Sequence, residues 1–483
     1  MSRTDGERYD CVIIGAGMSG LAAGIRLAMF DQRTLILERH NAAGGLNSFY
    51  SFDGRKYDVG LHALTNFAPA RERGRPLTKL LRQLRLNWDD LDLAQQRGSR
   101  MAIPGCDLCF SNDFAMLESE VARAFPKQID GFRALAQAVR ETDETALDVE
   151  AVSARAVMAA HLSDRVLIDL LLVPLMYYGS AREHDLDWPQ FCILFKALFF
   201  EGFARPFEGV RRIVRLLTKR FKEVGGERRM KCGVRQLTPD TEGVTVALDT
   251  GETVRAGQVL SSIGKVETER LLNFSADDAG SSGSGAPTDE TQVGRLSFVE
   301  TITIFSEQPA AFGWEDTIVF FNDSERFHYE RPNDLVDPRS GVICIPNNYA
   351  YSEERKLGEG VFRITALASH PRWTSLPETD YQAAKKVWFA QLQAKARKFL
   401  PPVDTARLES ATVTTDMFTP RTIEKFTGHL GGAVYGAPEK SRRGETSAAN
   451  VHLIGTDQGF LGITGAMLSG ITIANLKVLS ASV

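Results

Sequence analysis

The hydrophobic residues near the start of the chain form two short apolar runs with a helical segment between them. Residues 11–14 and 34–37 read Cys-Val-Ile-Ile and Thr-Leu-Ile-Leu, and a glycine-rich turn follows the first run. Short apolar runs that are bounded by turn residues are typical of strands in a parallel sheet. We therefore predict a strand, a helix and a second strand ending in an acid over residues 9–39.

Two further parts of the chain show a similar succession of strands and helices. The first predicts a helix over 210–224, a hairpin turned at 249–251 and a strand over 258–264. The second, residues 451–470, predicts a strand, a glycine-rich turn and the start of a helix. Strands that alternate with helices indicate an α/β fold with a parallel sheet.

The intervening stretches have a different pattern. Residues 76–86 and 114–170 carry apolar residues three and four positions apart, which predicts helices. A helix is also expected near 379–399. Alternating apolar and polar positions predict strands over 296–305, 317–321, 341–346 and 361–368.

The bulk properties exclude several classes of protein. A chain of 483 residues exceeds one compact core, so two domains are expected. Its 57 basic and 61 acidic residues nearly balance, which argues against a nucleic-acid-binding protein. The polar N-terminus runs straight into the first predicted strand, and no apolar run reaches the length of a membrane span.

The six cysteines, without a secretion signal, indicate a reducing compartment, so a cytoplasmic location is expected. Cys106 and Cys109 are the one Cys-x-x-Cys pair, in a segment that reads as a hairpin with a Pro-Gly turn. A zinc site would need a second pair, so no metal site is predicted.

The most informative chemistry is the glycine motif between the first strand and helix. Gly15 makes the tight turn, Gly17 lets the backbone approach a pyrophosphate, and Gly20 lets the helix pack against the strand. Phosphates would then lie at the positive N-terminus of the helix. Glu38 ends the second strand, where its carboxylate can accept the ribose hydroxyls.

A second glycine pair, Gly44-Gly45, brings more backbone amides close to a long dinucleotide. An NAD dehydrogenase does not need that second turn, whereas an enzyme that buries a whole FAD molecule does. The glycine-rich turn at 455–465 adds another helix N-terminus that can face a flavin or its ribityl chain. The cofactor is therefore predicted to be FAD.

Four blocks of sequence resemble the family of FAD-dependent phytoene desaturases, carotenoid isomerases and retinol saturases, within the amine-oxidase-like flavoproteins. They are residues 12–45, the Asp58-x-Gly60-x-His62 segment, residues 418–436, and the turn from Gly455-x-Asp457 to Gly465. Many relatives have a basic residue after the glycine pair, where this chain has Leu46, and the saturase-like branch tends to lack it. The Gly-x-Asp sequence also looks more like the saturase branch.

The resemblance implies a Rossmann-like FAD domain that is assembled from separate segments, 1–70, 208–290 and 440–483. Residues 71–207 and 291–439 would form a second, α+β substrate domain, and 275–289 would be a low-complexity linker. In relatives a valine after the second strand contacts the adenine through its backbone, and here that is Val234. The predicted cofactor-binding residues are Gly15, Gly17, Met18, Ser19, Gly20, Glu38, Arg39, Gly44, Gly45, Leu46, Asn47, Gly60, Leu61, His62, Val234, Gly264, Gly455, Asp457, Gly462, Ile463 and Thr464.

The predicted activity is desaturation or saturation of carbon–carbon bonds in a hydrophobic isoprenoid or polyene. A redox-neutral cis–trans isomerase that uses reduced FAD remains open. So does an amine oxidase, for which Arg421 is the one candidate carboxylate ligand. A prenyl-binding protein with a degenerate flavin site is a non-enzymatic alternative, although every FAD glycine is intact.

An apolar segment, 188–207, contains six phenylalanines. It predicts either a hydrophobic tunnel or a patch that dips into a membrane, and plain core is the competing interpretation. The apolar segment 166–178 is too short to span a bilayer. The candidate substrate-binding residues are Phe191, Phe195, Phe199 and Phe203.

His62 is the best candidate for a catalytic residue. It follows the Asp58-x-Gly60 segment, which should pass beside the flavin, and a histidine there can donate or accept a proton. The alternative is a histidine that forms hydrogen bonds without titrating. Asp457 is expected to bind the ribityl or pyrophosphate region, and four polar residues of the substrate domain are expected to be structural: His184, His328, Tyr329 and Asp416.

Overall fold

The computed structural model describes residues 7–60, 62–143, 146–148, 152–274, 290–352 and 354–480. Leu61 and the predicted linker 275–289 lie outside the described residues. The chain folds around two large sheets, with helices on the faces of each.

The strands are β1 Arg8–Ile14, β2 Thr34–Glu38, β3 Phe49–Phe52, β4 Arg55–Asp58, β5 Leu93–Gln95, β6 Ser99–Ile103, β7 Cys106–Phe110, β8 Ala204–Pro206, β9 Glu227–Met230, β10 Val234–Asp240, β11 Gly243–Leu248, β12 Thr253–Ser261, β13 Ser297–Phe305, β14 Ile318–Asn322, β15 Ser340–Cys344, β16 Gly360–Ala368, β17 Thr412–Phe418 and β18 Val451–Leu453.

The α-helices are α1 Met18–Ala28, α2 Pro76–Leu84, α3 Phe114–Ala124, α4 Ile129–Glu141, α5 Ala154–His161, α6 Arg165–Gly179, α7 Trp188–Phe195, α8 Val210–Glu223, α9 Lys265–Leu272, α10 His370–Thr374, α11 Glu378–Ala396, α12 Thr405–Ala411, α13 Pro420–Thr427 and α14 Gly462–Ile473. A π-helical turn, Lys196–Glu201, extends α7, and another, Ala474–Leu479, extends α14.

The first sheet has the order β10-β11-β12-β1-β2-β9, and β18 pairs with β12. Its parallel part is β18, β12, β1, β2 and β9, and the antiparallel hairpin β10–β11 is joined to the edge of β12. The strands come from residues 8–38, 227–261 and 451–453, which are far apart in the chain. The predicted α/β class with a sheet built from separate segments is confirmed.

Helices α1, α8 and α14 cover one face of this sheet, and two glycines let them pack closely. A Cβ at Gly24 would lie 2.8 Å from the Phe221 ring of α8, and a Cβ at Gly470 would lie 2.1 Å from the Ser19 carbonyl oxygen. The second contact places the N-terminus of α1 beside the C-terminal half of α14. Because β1 and β18 are parallel strands of one sheet, the turns that lead from them to α1 and α14 lie at the same edge of the sheet, where ligands bind in this class of fold.

The second sheet has the order β17-β13-β16-β15-β14-β6-β7. The predicted Cys106–Cys109 hairpin forms its edge as β6 and β7. Helices α6 and α7 share a hydrophobic core with one face of the sheet, and α11 shares a core with the other. The domain boundaries that the sequence suggested remain a prediction.

One helix in the described part of the chain, 462–479, is long and apolar enough to span a membrane by length and composition. Just over half of it, 56%, is buried inside the protein. A core helix of a globular protein has the same properties.

Candidate active site

A cavity of about 510 Å³ lies between the two sheets. One end is formed by the turns that follow β1 and β2, and the other by one face of the second sheet. Its volume is typical of sites for small molecules and cofactors.

The turn between β1 and α1 forms the nucleotide end of the cavity. Gly15 has a φ of +97°, which glycine adopts readily. A Cβ at Gly17 would have no atom within 4 Å, so this position opens into free space in front of the helix. A Cβ at Gly20 would lie 2.1 Å from the Gly15 carbonyl oxygen, so Gly20 serves close packing of the helix against the turn.

The second glycine turn lies directly beside the first. The Gly44 N–H donates to the Ala16 carbonyl at 2.9 Å, and Gly44 forms a parallel bridge with Gly17. A Cβ at Gly45 would be 3.6 Å from the Gly17 Cα atom. The two turns therefore present adjacent stretches of backbone to one ligand, as the sequence suggested.

Glu38 is held at the end of β2 by two backbone groups. Its Oε2 accepts the Ala16 N–H at 2.8 Å, and its Oε1 accepts the His40 N–H at 2.9 Å. The carboxylate is thereby fixed on the cavity wall, with lone pairs left on each oxygen for further donors. Arg39, which is exposed, and Val234 line the same end.

Most of the predicted cofactor-binding residues line the cavity. They are Gly15, Gly17, Met18, Ser19, Glu38, Arg39, Gly44, Gly45, Leu46, Asn47, Gly60, His62, Val234, Gly455, Gly462 and Ile463. Leu61 lies outside the described residues. The residues that do not line the cavity are Gly20, Gly264, Asp457 and Thr464.

Asp457 was predicted to bind the ribityl or pyrophosphate region, but in the structure its carboxylate accepts hydrogen bonds from the backbone of the protein itself. It is buried, its Oδ2 accepts the Lys265 N–H at 2.6 Å, and its Oδ1 accepts the Ala437 N–H at 2.7 Å. Asp457 thus caps the start of α9 just after Gly264, and neither residue reaches the cavity. Thr464 is also buried, and its hydroxyl donates to the Thr65 carbonyl.

The four phenylalanines proposed to bind substrate do not line the cavity either. Phe191, Phe195, Phe199 and Phe203 are at most 1% exposed and belong to the core between α6, α7 and the second sheet. Phe203 stacks against Tyr178, which does line the cavity, with ring centroids 5.6 Å apart. They form a layer behind the wall, packed between the helices and the second sheet. This arrangement matches the plain-core interpretation.

The residues at the nucleotide end fit FAD. Two adjacent glycine turns, an open Gly17 position and the fixed Glu38 carboxylate match a pyrophosphate and a ribose. In addition, His40 lines the cavity, and its Nε2 is buried without a hydrogen-bond partner among the described residues. Such an orphaned polar atom on a cavity wall is explained by a ligand with polar groups.

The opposite end of the cavity is built on one face of the second sheet. Glu300 of β13 pairs with Thr365 of β16, and Thr365 pairs with Val342 of β15. Residues two apart on a strand share a face, so Phe298 lies beside Glu300. All four side chains line the cavity, and Tyr178 and Tyr435 complete an aromatic wall.

His62 extends onto this face from the segment that follows β4. Its Nε2 lies 3.0 Å from Glu300 Oε1 and 3.0 Å from Thr365 Oγ1. Its backbone carbonyl accepts the Tyr349 hydroxyl at 2.8 Å. The predicted catalytic residue is thus at the cavity wall, with only 12% of its side chain exposed.

Two buried ion pairs surround His62. Arg363 holds Glu300 with both arms, since Nε lies 2.6 Å from Oε1 and Nη2 donates to Oε2 at 2.8 Å. Arg363 Nη2 also donates to the Asp58 carbonyl at 3.0 Å, and Arg205 Nη2 lies 2.5 Å from Asp58 Oδ2. Two carboxylates and two guanidinium groups balance in charge.

These contacts define the protonation states at the site. Burial raises the pKa of Glu300, but the Arg363 guanidinium and the hydrogen bond from His62 outweigh burial and hold that pKa at about 2. Burial lowers the pKa of His62, and the Glu300 carboxylate opposes this only in part. At neutral pH the site therefore contains an ionised Glu300 and a neutral imidazole, which can accept a proton.

Sequence reasoning missed Glu300, Arg363 and Thr365. The available signal was a charged residue within each of two apolar strands, at the fourth position of 297–305 and of 360–368. A buried charge in a strand requires a partner, but the sequence does not show which strands are neighbours. The other polar candidates do not line the cavity; they are His184, His328, Tyr329, Asp416 and Arg421.

Together, the parallel sheet, the paired glycine turns and the enclosed apolar end define a dinucleotide-dependent oxidoreductase. Residues 18–476 match the family described as flavin containing amine oxidoreductase, and the chain belongs to this family. It is therefore an FAD-dependent oxidoreductase. The resemblance that the four sequence blocks carried is confirmed.

The chain is also similar to individual proteins and to solved structures. The chain is 20% identical to the prolycopene isomerase of Arabidopsis thaliana over 92% of this chain and 77% of that protein. It is 33% identical to the all-trans-retinol 13,14-reductase of Danio rerio over 89 residues, 18% of this chain and 14% of that protein. An oxidoreductase of Methanosarcina mazei shares the fold, with a TM-score of 0.63, 15% identity and coverage of 98% and 99%.

Proposed function

We propose that this enzyme removes or adds hydrogen at carbon–carbon bonds of a hydrophobic isoprenoid or polyene. The observation that carries the proposal is the composition of the substrate end of the cavity. Phe298, Val342 and Tyr178 form an apolar wall, and the one carboxylate beside them, Glu300, is compensated by Arg363. Asp58 is likewise compensated by Arg205. A polyene can enter such a wall without leaving a net charge unsolvated.

The chain's own residues bind, orient and shield the reactants. The two glycine turns and Glu38 would hold the pyrophosphate and ribose of FAD, and His62 with the second sheet would face the substrate. Flavin, when bound, supplies the capacity to accept or return hydride. The names of the two relatives, a prolycopene isomerase and a retinol reductase, agree with a substrate of this class.

Redox-neutral isomerisation remains the nearest alternative, because it needs the same cavity. The two are separated by anaerobic spectroscopy. A substrate-dependent change in flavin absorbance supports net hydrogen transfer, and a change in the substrate's geometry without any change in flavin absorbance supports isomerisation.

An amine oxidase is the second candidate, and the aromatic wall of Tyr178, Tyr435 and Phe298 favours it, because an aromatic cage binds an ammonium group. Two observations weigh against it. The Glu300 carboxylate is already paired with Arg363. Arg421 lies outside the cavity wall and 3.1 Å from Glu378, so it provides no carboxylate ligand there. Release of hydrogen peroxide with simple amines would favour this candidate.

The test is mass spectrometry of apolar extracts from cells that make a panel of polyenes, with and without this enzyme. Loss of two hydrogens from one compound indicates a desaturase, and gain of two indicates a saturase. An unchanged mass with a shifted retention time indicates an isomerase. If no polyene or prenyl lipid changes in mass or retention, the proposal is wrong, provided that the purified protein carries FAD.

We also propose a cytoplasmic protein that contacts a membrane surface to collect its substrate. Because the phenylalanines of 188–207 are in the core, this contact needs another surface. Segment 71–86 carries six basic residues and one acidic residue, and segment 208–224 carries six basic and two acidic residues. Together the two segments have a net charge of +9, in a chain whose net charge is −4. Helices α2 and α8, within these segments, both contribute leucines to the lining of one crevice. We call the surface formed by residues 71–86 and 208–224 the basic surface.

A further inference from the structure

We propose that Glu300 is a positioning residue that keeps His62 in the neutral tautomer with its proton on Nε2. The Nδ1 atom is then a hydrogen-bond acceptor at the apolar end of the cavity. The site consequently prefers a polyene that carries a hydroxyl group over a matched polyene without one. This inference rests on the proposed function, because it names a substrate class for the same site.

The first step concerns the donor in the His62–Glu300 contact. An ionised carboxylate only accepts hydrogen bonds. Since Arg363 holds Glu300 ionised, the contact of 3.0 Å between Nε2 and Oε1 requires a proton on Nε2. Thr365 Oγ1, at the same distance from Nε2, has lone pairs that can share this proton.

The second step concerns the other ring nitrogen. In a neutral imidazole with a proton on Nε2, Nδ1 carries the lone pair. Nδ1 of His62 makes no hydrogen bond with the part of the chain that the structure describes. His62 lines the cavity, so a ligand provides the partner for this atom.

The third step concerns the surroundings that keep this arrangement. The titratable and charged groups near His62 come from several elements. They are Asp58 of β4, Tyr178 of α6, Arg205 of β8, Glu300 of β13, Cys344 of β15, Tyr349, Arg363 of β16 and Tyr435. Of these, Glu300 is the group that accepts from the ring. The other carboxylate, Asp58, is paired with Arg205, so it does not compete for Nε2.

The fourth step gives the preference for a hydroxyl group. When a hydrocarbon displaces water from this wall, Nδ1 is left without a donor, which is unfavourable for a polar atom. A hydroxyl group at that position restores the hydrogen bond. The expected preference is about 3- to 10-fold in affinity, as for an ordinary net hydrogen bond.

The first experiment reads the tautomer directly and needs no turnover. Nitrogen NMR of protein labelled with 15N at its eight histidines distinguishes the two tautomers, and the variant H62Q identifies the His62 signals. Wild-type protein should show a protonated Nε2 and an unprotonated Nδ1. A proton on Nδ1 would overturn the inference.

The second experiment tests Glu300. Because E300Q alone leaves the Arg363 charge buried and uncompensated, the double variant E300Q/R363M removes both charges together. Its His62 should lose the single tautomer and show a mixture. The matched control is R55M/E359Q, which removes a similar two-armed pair away from the cavity and should leave His62 unchanged. An unchanged tautomer in E300Q/R363M would contradict the role of Glu300.

The third experiment measures binding of all-trans-retinol and of its methyl ether, which lacks the donor. Wild-type and R55M/E359Q proteins should bind retinol about 3- to 10-fold more tightly, and E300Q/R363M should bind the two nearly equally. Equal binding by wild type overturns the hydroxyl preference. If neither compound binds, the hydroxyl preference is overturned, while the polyene panel still decides the proposed function and the tautomer measurement still decides the role of Glu300.

Discussion

At the scale of single residues, two glycines of one motif have different roles and can be separated by the same substitution. G17A should leave the free protein's unfolding temperature unchanged, because the added methyl group meets no atom within 4 Å. It should weaken FAD binding by at least about 10-fold, because the methyl group occupies space that the pyrophosphate needs. Absorbance titration with FAD and thermal unfolding of the FAD-free protein check both expectations.

G20A should behave in the opposite way. Its methyl group would lie 2.1 Å from the Gly15 carbonyl oxygen, so helix α1 must move away from the turn. We expect a loss of about 2 kcal/mol or more in the free energy of unfolding. If G20A were as stable as wild type, Gly20 would not be required for helix packing. If G17A bound FAD normally, Gly17 would not be required for cofactor binding.

The second prediction at the scale of residues concerns the buried His62 and the effect of pH on the free energy of unfolding. The pKa of His62 is lowered from 6.5, so the unfolded chain binds more protons than the folded chain below that pH. The free energy of unfolding should therefore fall as the pH drops below about 6.5. Glu300, with its pKa lowered from 4.5 to about 2, stabilises the fold above pH 4.5 and contributes to the loss only between pH 4.5 and 2.

Urea unfolding at pH 7.5 and 5.5 measures this effect. His452, whose pKa burial lowers to about 4, falls in the same window, so two variants are needed. H62Q and H452Q should each lose less stability between these pH values than wild type does. If H62Q loses as much as wild type, His62 is charged in the folded protein at pH 5.5.

The residues of the nucleotide end were predictable because their motif is local. Gly15, Gly17 and Gly20 lie within six residues of one another, and each has a local reason: a positive φ at Gly15, free space in front of the helix at Gly17 and close packing at Gly20. The residues of the substrate end were not predictable. Glu300 and Thr365 meet only because β13 and β16 pair in one register, and His62 reaches them from another sheet's loop. The sequence around each of these residues does not show that the three side chains are in contact in the folded protein.

At the scale of elements, most helices and strands follow from the hydrophobic pattern, but their order in a sheet does not. The hairpin β6–β7 was predicted from its own turn. Its position beside β14, in parallel, depends on a pairing between residues 100–102 and 319–321. Likewise, an apolar segment such as 188–207 shows burial without showing whether a ligand or the core covers it.

The third prediction tests the core role of the helix α7 and its π-helical extension. Phe199 is 1% exposed and packs edge-on against Phe110 and Phe195, with ring centroids 5.3 and 5.0 Å away. F199A should lower the free energy of unfolding by about 3–5 kcal/mol. The matched control F426A, at a residue that is 51% exposed, should change it by no more than about 0.5 kcal/mol.

Denaturant unfolding of the FAD-free proteins gives both values, and polyene binding at low temperature adds a second readout. F199A should bind polyenes as wild type does, because the side chain is behind the cavity wall. A stable F199A protein with weakened polyene binding would instead support the tunnel that the sequence suggested.

At the scale of the whole molecule, charge is distributed unevenly. The basic surface carries +9, so the rest of a chain of net charge −4 is acidic. Both of its helices turn their apolar residues to the core beneath the first sheet: Leu77, Leu80 and Leu81 from α2, and Ile213 and Leu217 from α8. The basic side chains therefore lie away from this core, and this is the surface that we propose contacts an anionic bilayer.

The last prediction concerns binding to vesicles of phosphatidylglycerol and phosphatidylcholine, measured by co-sedimentation. Wild type should bind them at low salt, bind more weakly at 0.15 M salt, and ignore pure phosphatidylcholine, because screening shortens the range of attraction. Four exposed basic residues of the basic surface are changed to Gln in one variant: Lys79, Arg82, Lys219 and Lys222. At about 1 kcal/mol for each basic residue, the affinity should fall by at least about 100-fold.

The matched control neutralises four exposed basic residues elsewhere and should bind as wild type does: Lys127, Lys356, Arg372 and Lys386. Equal losses in the two variants would mean that net charge acts and no surface is special, and preference for double-stranded DNA over vesicles would reject the membrane as the partner.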